Sequence, residues 1–588
     1  MIRTLRTARK ITPLIRSIVF GVAGVAAISA VTAVVAGCED ENQPEYYTKR
    51  LNDPALRPAA VKRLVQFFED AMTRADKKRD DPKVKELLDK IVPPLTKTYM
   101  ESQGDDRTKA EILKLLADTR DVRAKDAWIK ALKDYQPNVS EPEAKSAIQA
   151  IADVKVTDQA AMDAIIGVFV KLEASSPKGQ LIYLDFKNAM VEIASPSWKP
   201  QLLERLNRPM EMVSQADKGT NEDKIRAYQN EQFWQTTAAE LLGIIKASDA
   251  VKPLFKTVLD PNKADVAATA IMAMVKIGKD SMNVLIDSLL GKDAEVNEFA
   301  KTVIKDKKEV EVTVVRSAAL VIGTLGRADG VTPLLTALGK ADSKDYITRA
   351  ILARELAKLP ASPESLKAFI DVMQNTPASA VIPPGAPAVA TLEESIASYY
   401  DSSVIDVLIK LGNDVKGEAD DKQVVRDAAL TTIIKLMRKE QVPAVEKLIS
   451  DWAPKENDSK LEKEAFRKAK GLLDACGDKV ECYLAKIEEA AVQEKDQQFV
   501  GIKATYMLGI LGNDSTRMEI TKRLQNIKNP AIKYAAVQAI DHLAPSGDKA
   551  VADEMKRIMA ANIAKGDRNL ILGDNPVKQV MFRLLARQ

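Results

Sequence analysis

Histidine, cysteine and aromatic residues are all scarce in this chain of 588 residues. The single histidine, His542, excludes any metal site that needs two histidine ligands and leaves one candidate for histidine-based acid–base catalysis. His542 stands at the end of an apolar helical pattern, near the negative end of a helix dipole, where an imidazole is typically structural. We therefore expect no metal, no cofactor and no catalytic residue.

The chain has three cysteines, and two of them lie close together in the sequence. Cys476 and Cys482 flank Gly477, which ends one helical pattern before the next begins near Val480. In an oxidising compartment, two cysteines across such a turn indicate a disulfide, and two buried thiols are the alternative. The spacing is not Cys-x-x-Cys, so it does not indicate a redox role.

An excess of charge of one sign is also lacking once the first residues are set aside. The whole chain has 87 lysines and arginines against 83 acidic residues, but five of the basic residues precede position 17. The remaining 82 basic residues nearly balance the 83 acidic ones. Because nucleic-acid binding requires a basic surface, we predict no nucleic-acid partner.

The five basic residues open a leader of the secretory type. They precede an uncharged run from Ser17 to Gly37, rich in Val, Ala, Ile and Gly, which is followed by Cys38. Val35, Ala36, Gly37 and Cys38 together resemble the lipobox of bacterial lipoprotein signal peptides. The resemblance implies that the Cys38 sulfur receives a diacylglyceryl group, that the leader is cleaved before Cys38, and that the new amine is acylated by a fatty acid such as palmitate.

An uncleaved signal-anchor helix is the alternative, because the apolar run approaches the roughly 20 residues that a membrane span requires. Its many Gly and Ala residues make the run only weakly apolar for a permanent span. Both interpretations place the body of the protein outside the cytoplasm, at an inner or outer membrane, facing the periplasm or the exterior. We predict a signal peptide over residues 1–37, a lipidated cysteine and tether over 38–45, and the body over 46–588.

The body consists of paired apolar helical patterns that recur about every forty residues, whereas strand-like alternation is nearly absent. The clearest unit runs from Thr313 to Leu338. Its first half has apolar residues at helical spacing and stops at Gly326, and its second half begins with Pro333 in the first turn. The pattern predicts an all-α fold.

The paired pattern resembles the HEAT repeat. The resemblance covers nearly the whole body and implies a right-handed α-solenoid of antiparallel helix pairs, roughly thirteen of them at about 42 residues each. Each pair buries its apolar face only against its neighbours, so we expect one elongated, curved body. Arg316, Arg349 and Arg426 occupy a position where HEAT arginines bond to neighbouring turns, and we expect them to be structural.

Insertions between the first and second helix of a pair are the predicted binding features, because equivalent turns line up along one edge of a solenoid. They are Arg208 to Gln229, Gly291 to Val312, Gln374 to Thr391, Gly412 to Gln423 and Ala453 to Glu462. The third is apolar and rich in proline, so Val381, Ile382, Pro383 and Pro384 form the candidate partner-binding segment. A disordered loop is the alternative.

Motifs of common enzyme classes were not found: the chain has no Gly-x-Ser-x-Gly elbow and no glycine-rich phosphate loop. We therefore predict a non-enzymatic scaffold or adaptor that is anchored to the membrane and binds one or more proteins of the bacterial envelope. A structural subunit of a larger envelope machine is the first alternative, and an enzyme of unrecognised type is the second.

Overall fold

A computed structural model describes residues 40–101, 106–213, 221–382, 385–416, 419–492, 497–566 and 568–588. Six residues of the sequence predictions lie outside this part of the chain, namely Val35, Ala36, Gly37, Cys38, Pro383 and Pro384. Among the described helices, none is both long enough and apolar enough to cross a bilayer.

Helices make up nearly all of the regular structure described. The first helices along the chain are α1 (Pro44–Arg50), α2 (Arg57–Arg74), α3 (Pro82–Glu101), α4 (Asp106–Thr119), α5 (Lys125–Lys133), α6 (Glu141–Val154), α7 (Gln159–Lys171), α8 (Tyr183–Glu192), α9 (Lys199–Leu206) and α10 (Glu222–Ile244). The middle elements are α11 (Val251–Leu259), α12 (Ala264–Ile277), α13 (Met282–Leu289), α14 (Ala294–Val303), α15 (Val310–Leu325), α16 (Val331–Lys340), α17 (Tyr346–Leu356), α18 (Pro363–Asn375), β1 (Val381–Ile382), β2 (Ala386–Pro387), α19 (Ala388–Ile396) and α20 (Ile405–Asp414). The last helices are α21 (Ala419–Leu436), α22 (Val442–Trp452), α23 (Lys460–Cys476), α24 (Val480–Val492), α25 (Gln498–Leu511), α26 (Asp514–Arg523), α27 (Pro530–His542), α28 (Lys549–Lys565), α29 (Arg568–Gly573) and α30 (Asn575–Ala586).

The helices form two layers, and each pair contributes one helix to each layer. The first helices of the pairs are α1, α3, α5, α7, α9, α11, α13, α16, α18, α20, α22, α24, α26 and α28. The second helices are α2, α4, α6, α8, α10, α12, α15, α17, α19, α21, α23, α25, α27 and α30. The described residues thus contain fourteen pairs, with α14 and α29 as extra helices inside two of them. The paired helices confirm the predicted all-α fold.

The segment from α15 to α16, the last helix of one pair and the first of the next, shows how the sequence specifies helices and the turns between them. In α15, apolar side chains at helical spacing, including Val314, Ala318 and Ile322, are fully or almost fully buried. The helix ends at Gly326, whose φ of 70° lies in the left-handed region that favours glycine. A short 3-10 turn then leads into α16, which buries Leu334 against the same core.

The second half of the array closes on itself. From α12 onward the second helices pack one against the next, and the last of them, α30, packs back against α12 and α15. Arg583 Nη1 on α30 donates a hydrogen bond to the carbonyl oxygen of Gly323 on α15 at 3.0 Å, across 260 residues of sequence. Residues from α12 to α30 therefore form a closed ring, whereas we expected an open, elongated body.

The difference arises from the rotation between successive pairs. Apolar spacing shows which face of a helix is buried, but the small rotation from one pair to the next depends on side-chain packing and accumulates along the array. Small residues meet where the ring closes: a Cβ atom at Gly278, directly after α12, would stand in ordinary van der Waals contact, 3.6 Å from Ala586 Cα on α30. The two ends of the ring therefore meet almost backbone to backbone.

Candidate functional site

The closed ring surrounds a central cavity of about 770 Å³. Its wall is built from the second helices α12, α15, α17, α19, α21, α25, α27 and α30, with the turns that follow α17, α19 and α27. Cavities of several hundred Å³ are typical of small-molecule sites. Sequence analysis singled out His542, which lies in this wall, but did not predict the cavity, because it exists only once the ring is closed.

A stack of three aromatic rings forms one part of the wall. The ring of Tyr400 lies between those of Tyr506 and His542, with centroid distances of 5.2 and 4.4 Å and interplanar angles of 30° and 28°. Tyr400 follows α19 with a φ of 52°, in the left-handed region. The single histidine is therefore a stacking residue, and its burial lowers the pKa of the imidazole.

Gly509 on α25 makes room for this stack. A Cβ atom at this position would stand 2.3 Å from two carbon atoms of the Tyr400 ring, which is far inside van der Waals contact. The glycine thus lets α25 approach the aromatic stack closely. In the sequence it is an isolated glycine inside an apolar helical pattern, and such a glycine signals close packing without naming the partner.

Two arginines and one aspartate close the ring at one end of the cavity; we call Asp541, Arg583 and Arg587 the latch. The Asp541 carboxylate lies 2.8 Å from Arg583 Nη2 and 3.0 Å from Arg587 Nη1. Burial alone would raise the pKa of Asp541, but the two guanidinium groups outweigh it and hold the pKa below the ordinary value of 3.8. The latch is therefore ionised at neutral pH.

The same two arginines cap the carboxyl ends of three second helices. Arg583 donates to the carbonyl oxygens of Gly323 in α15 and Lys358 after α17, at 3.0 and 2.6 Å. Arg587 donates to Gly326 after α15 at 2.7 Å and to Ala544 after α27 at 2.9 Å. The last carbonyl groups of a helix have no partner inside it and carry partial negative charge. The latch therefore satisfies backbone groups that the closed ring removes from water.

A buried lysine likewise donates hydrogen bonds to the carbonyl groups at the end of another second helix, α21. Lys503 of α25 is 2% exposed, and its Nζ donates to the carbonyl oxygens of Lys435 and Met437 at the end of α21, at 2.9 and 2.5 Å. Burial lowers the pKa of Lys503 to about 7. Sequence analysis missed Lys503, Arg583 and Arg587, although a basic residue on the buried face of an apolar helix is a signal for such a role.

The remaining cations of the cavity differ in their partners. Arg354 and Lys358 both contact Glu355, a fully buried carboxylate, at 2.9 and 2.5 Å. Lys435 makes no ion pair with any described residue, and its Nζ lies 6.0 Å from the centre of the Tyr506 ring. Burial lowers the pKa of Lys435, and the nearby carboxylate of Glu394 opposes that shift. Lys435 is thus a cation open to the cavity without a direct counter-ion.

The predicted HEAT arginines have structural partners. Arg316 Nε donates to Thr348 Oγ1 of the next pair at 2.8 Å. Arg349 donates to Asp371 at 3.3 Å, and Arg426 Nε to the Gly412 carbonyl oxygen at 3.1 Å. Arg316 lies on α15, Arg349 on α17 and Arg426 on α21, so each lies on the second helix of its pair.

A second surface lies along one edge of the array, where each first helix turns into its second helix. The described residues include fifteen exposed large apolar side chains, and thirteen of them lie in such a turn or within two helical turns of one. We call these thirteen residues the apolar rim: Leu56, Met100, Val139, Val170, Leu181, Leu184, Met212, Val381, Val424, Leu461, Tyr534, Ile563 and Ile571. The other two, Val122 and Leu585, lie elsewhere.

The predicted insertions all fall on this edge, between a first and a second helix. In the proline-rich one, β1 and β2 pair antiparallel, with Val381 opposite Pro387 and Ile382 opposite Ala386. Val381 is 47% exposed, whereas Ile382 is 3% exposed. Of the candidate segment, therefore, the described residues present Val381 to solvent and pack Ile382 into the core.

Cys476 and Cys482 stand at the turn between α23 and α24, with their Cα atoms 5.4 Å apart and their sulfur atoms joined. This geometry is compatible with the disulfide that the sequence indicates. Among the described residues, no group of three or more His, Cys, Asp and Glu side chains is arranged to hold a metal ion.

Comparisons with known proteins add little to this description. No family model matches the chain, and a comparison with curated protein sequences gives no match. Among solved structures, the chain is similar to the karyopherin Kap121p bound to the SUMO protease Ulp1p, with 13% identity over 89% of this chain and 67% of that one, at a TM-score of 0.33. It is also similar to importin beta, with 12% identity over 92% and 89% of the two chains, at a TM-score of 0.27. The assignment to the α-solenoid class therefore rests on the helix pairs themselves.

Proposed function

We propose that this protein is a scaffold or adaptor of the bacterial envelope, anchored through Cys38, which binds protein partners with its apolar rim. The observation that carries the proposal is the concentration of exposed apolar side chains on one edge of the array. Single exposed apolar residues are common on any protein surface, but their alignment on one edge is typical of an interaction site.

Closure of the ring makes the inner face from α12 onward less accessible to a protein partner. In many solenoids the curved inner face is the binding surface. Here α30 packs against both α12 and α15 and closes the ring, so the inner face from α12 onward encloses only a cavity of about 770 Å³. This space is too small for a folded protein partner, which favours the rim as the binding surface.

The rim is tested by site-specific photo-crosslinking in cells. A photoreactive residue replaces Leu181 or Val381 of the rim, and Val122 serves as the matched control, since it is 52% exposed but lies in a turn on the other edge. We expect crosslinks to a distinct protein from both rim positions and not from Val122. Equal crosslinking from all three positions, or none from the rim, contradicts the proposal.

The envelope location is supported by the leader and by the joined cysteines, because disulfides persist in oxidising compartments. A lipidated cysteine holds a protein at a bilayer with about 0.8 kcal/mol per buried methylene. Replacing Cys38 with serine should release the protein from membranes and abolish incorporation of a palmitate analogue. Unchanged membrane association of Cys38→Ser would instead favour an uncleaved anchor helix.

A structural subunit of an envelope machine is the second candidate, and the latch is the observation that favours it. A ring fixed by ion pairs and helix caps is stiffer than an open solenoid whose repeats contact only their neighbours. The crosslinked partner distinguishes the two functions. Constant stoichiometry within one large complex favours the subunit, whereas a partner that dissociates favours the adaptor.

A further inference from the structure

One side of the central cavity carries hydrogen-bond donors that lack partners. Lys435 of α21 has no ion pair, and the hydroxyl groups of Tyr506 and Tyr534 have no hydrogen bond, to any residue that the structure describes. These side chains come from the neighbouring helices α21, α25 and α27. A cluster of unpartnered donors facing a cavity fits a ligand that brings acceptors.

The charges that line the cavity leave a cation available. Arg583 and Arg587 are occupied by Asp541 and by helix carbonyl groups, and Arg354 and Lys358 share Glu355, as described above. Each of these carboxylates is shared by two cations, whereas the Lys435 ammonium group has no carboxylate within ion-pair distance among the described residues. Glu394, the one acidic wall residue outside these pairs, is exposed and lies beyond ion-pair distance of Lys435 within the described structure. An anionic group would therefore find an electrostatic partner at Lys435.

The cavity wall also contains aliphatic side chains. Met272 and Val275 of α12, Leu359 after α17 and Val580 of α30 contribute aliphatic side chains to the wall. In the order of second helices around the ring, α12 and α21 are separated by three helices on one side and four on the other, so Met272 and Val275 lie on the far side of the ring from Lys435. The cavity wall thus offers aliphatic side chains on α12 as well as the polar groups around Lys435.

We propose that the central cavity binds a small organic anion with an apolar body. Its carboxylate or phosphate pairs with the Lys435 ammonium and accepts hydrogen bonds from Tyr506 and Tyr534, and its body lies against α12 and Val580. This ligand site shares Tyr534 with the apolar rim but is otherwise formed by different residues, and the two proposals are tested at different positions, Lys435 here and Leu181 and Val381 on the rim. The cavity volume of about 770 Å³ accommodates such a molecule.

The test uses the folded chain and the fluorescent anion 1-anilinonaphthalene-8-sulfonate as probe. Four competitors share an eight-carbon chain and differ in the head group: octanoate, octyl phosphate, octylammonium and octanol. We expect the probe to bind with a defined stoichiometry, and the carboxylate or the phosphate to displace it, whereas the ammonium and the alcohol do not. Which of the two anions competes better identifies the head group.

Variants locate the site. Lys435→Met should weaken probe binding about ten-fold or more, Lys435→Arg should retain it, and Tyr534→Phe should weaken it by less than Lys435→Met. Lys447→Met on the outer helix α22 is the matched control, because Lys447 is exposed and far from the cavity wall. The proposal is overturned by absence of probe binding, by equal binding to the Lys435→Met variant and the native chain, or by equal competition from octylammonium.

Discussion

The latch provides a quantitative prediction, because Arg583 connects the two ends of the ring. In the variant Arg583→Met, the chain loses the 2.8 Å contact with Asp541 and the hydrogen bonds to the carbonyl oxygens of Gly323 and Lys358. The Arg583 side chain is 12% exposed and that of Asp541 is 10% exposed, so solvent screening is weak. The variant should therefore weaken the packing of α30 against both α12 and α15.

The loss of stability in Arg583→Met depends on which partners the remaining groups keep. Removing one member of a buried ion pair costs about 3–5 kcal/mol, and each buried carbonyl group without a partner adds about 1–3 kcal/mol. Asp541 keeps Arg587 at 3.0 Å, and an opened ring readmits water to the carbonyl groups, so both contributions are reduced. We expect a loss of about 3 kcal/mol in the free energy of opening the ring.

Hydrogen exchange measures this opening helix by helix, which suits a repeat array that does not unfold in two states. A loss of about 3 kcal/mol should accelerate amide exchange in the last turns of α12 and α15 roughly 100-fold, with no change in α4 or α6. The control Arg557→Met removes an exposed pair with Glu554 and should change opening by less than about 0.5 kcal/mol. Unchanged exchange in α12 and α15 would refute the reasoning.

The latch also predicts a pH dependence with a definite sign. The pKa of Asp541 is held below 3.8 in the folded chain, so the unfolded state binds the proton more readily. The stabilisation is present above pH 3.8 and is lost as the pH falls through the folded pKa. Protection of α15 should therefore decrease below about pH 4 in the native chain and remain flat in Asp541→Asn.

Two further predictions concern the core of the ring. Gly509→Ala should destabilise the chain by about 1–3 kcal/mol and reduce the near-ultraviolet circular dichroism of the aromatic stack, because the new methyl group overlaps the Tyr400 ring. Gly471→Ala on α23, where a Cβ atom meets nothing within 4 Å, should instead stabilise the chain slightly; equal effects would contradict the role of Gly509. Glu393 is fully buried, neither carboxylate oxygen has a partner among the described residues, and burial together with Glu394 raises its pKa well above 4.5. The folded chain therefore becomes less stable as the pH rises above 4.5, because Glu393 must either stay protonated or ionise without a partner. Glu393→Gln should raise the thermal midpoint at pH 8 but not at pH 4. Equal shifts at both pH values would refute this.

Local features of the sequence were predictable because their causes are local. The helices of the α15–α16 segment follow from apolar residues three and four positions apart, and Gly326 ends the first of them in a left-handed conformation. The position of Val381 on one edge follows from the alternation of first and second helices. The burial of Ile382 was not predictable, because it depends on β1 packing beside α17.

The sequence by itself determined the helices, their order and the turns, since each depends on residues within one or two turns of one another. Only the tertiary structure decided that the array closes into a ring, and with it the latch, the cavity that Lys435 lines, and the partners of Lys503 and Arg583. Closure depends on a small rotation between pairs that accumulates over many repeats, until residues 260 positions apart meet. A periodic pattern specifies the repeat, but this rotation is set by how neighbouring side chains pack.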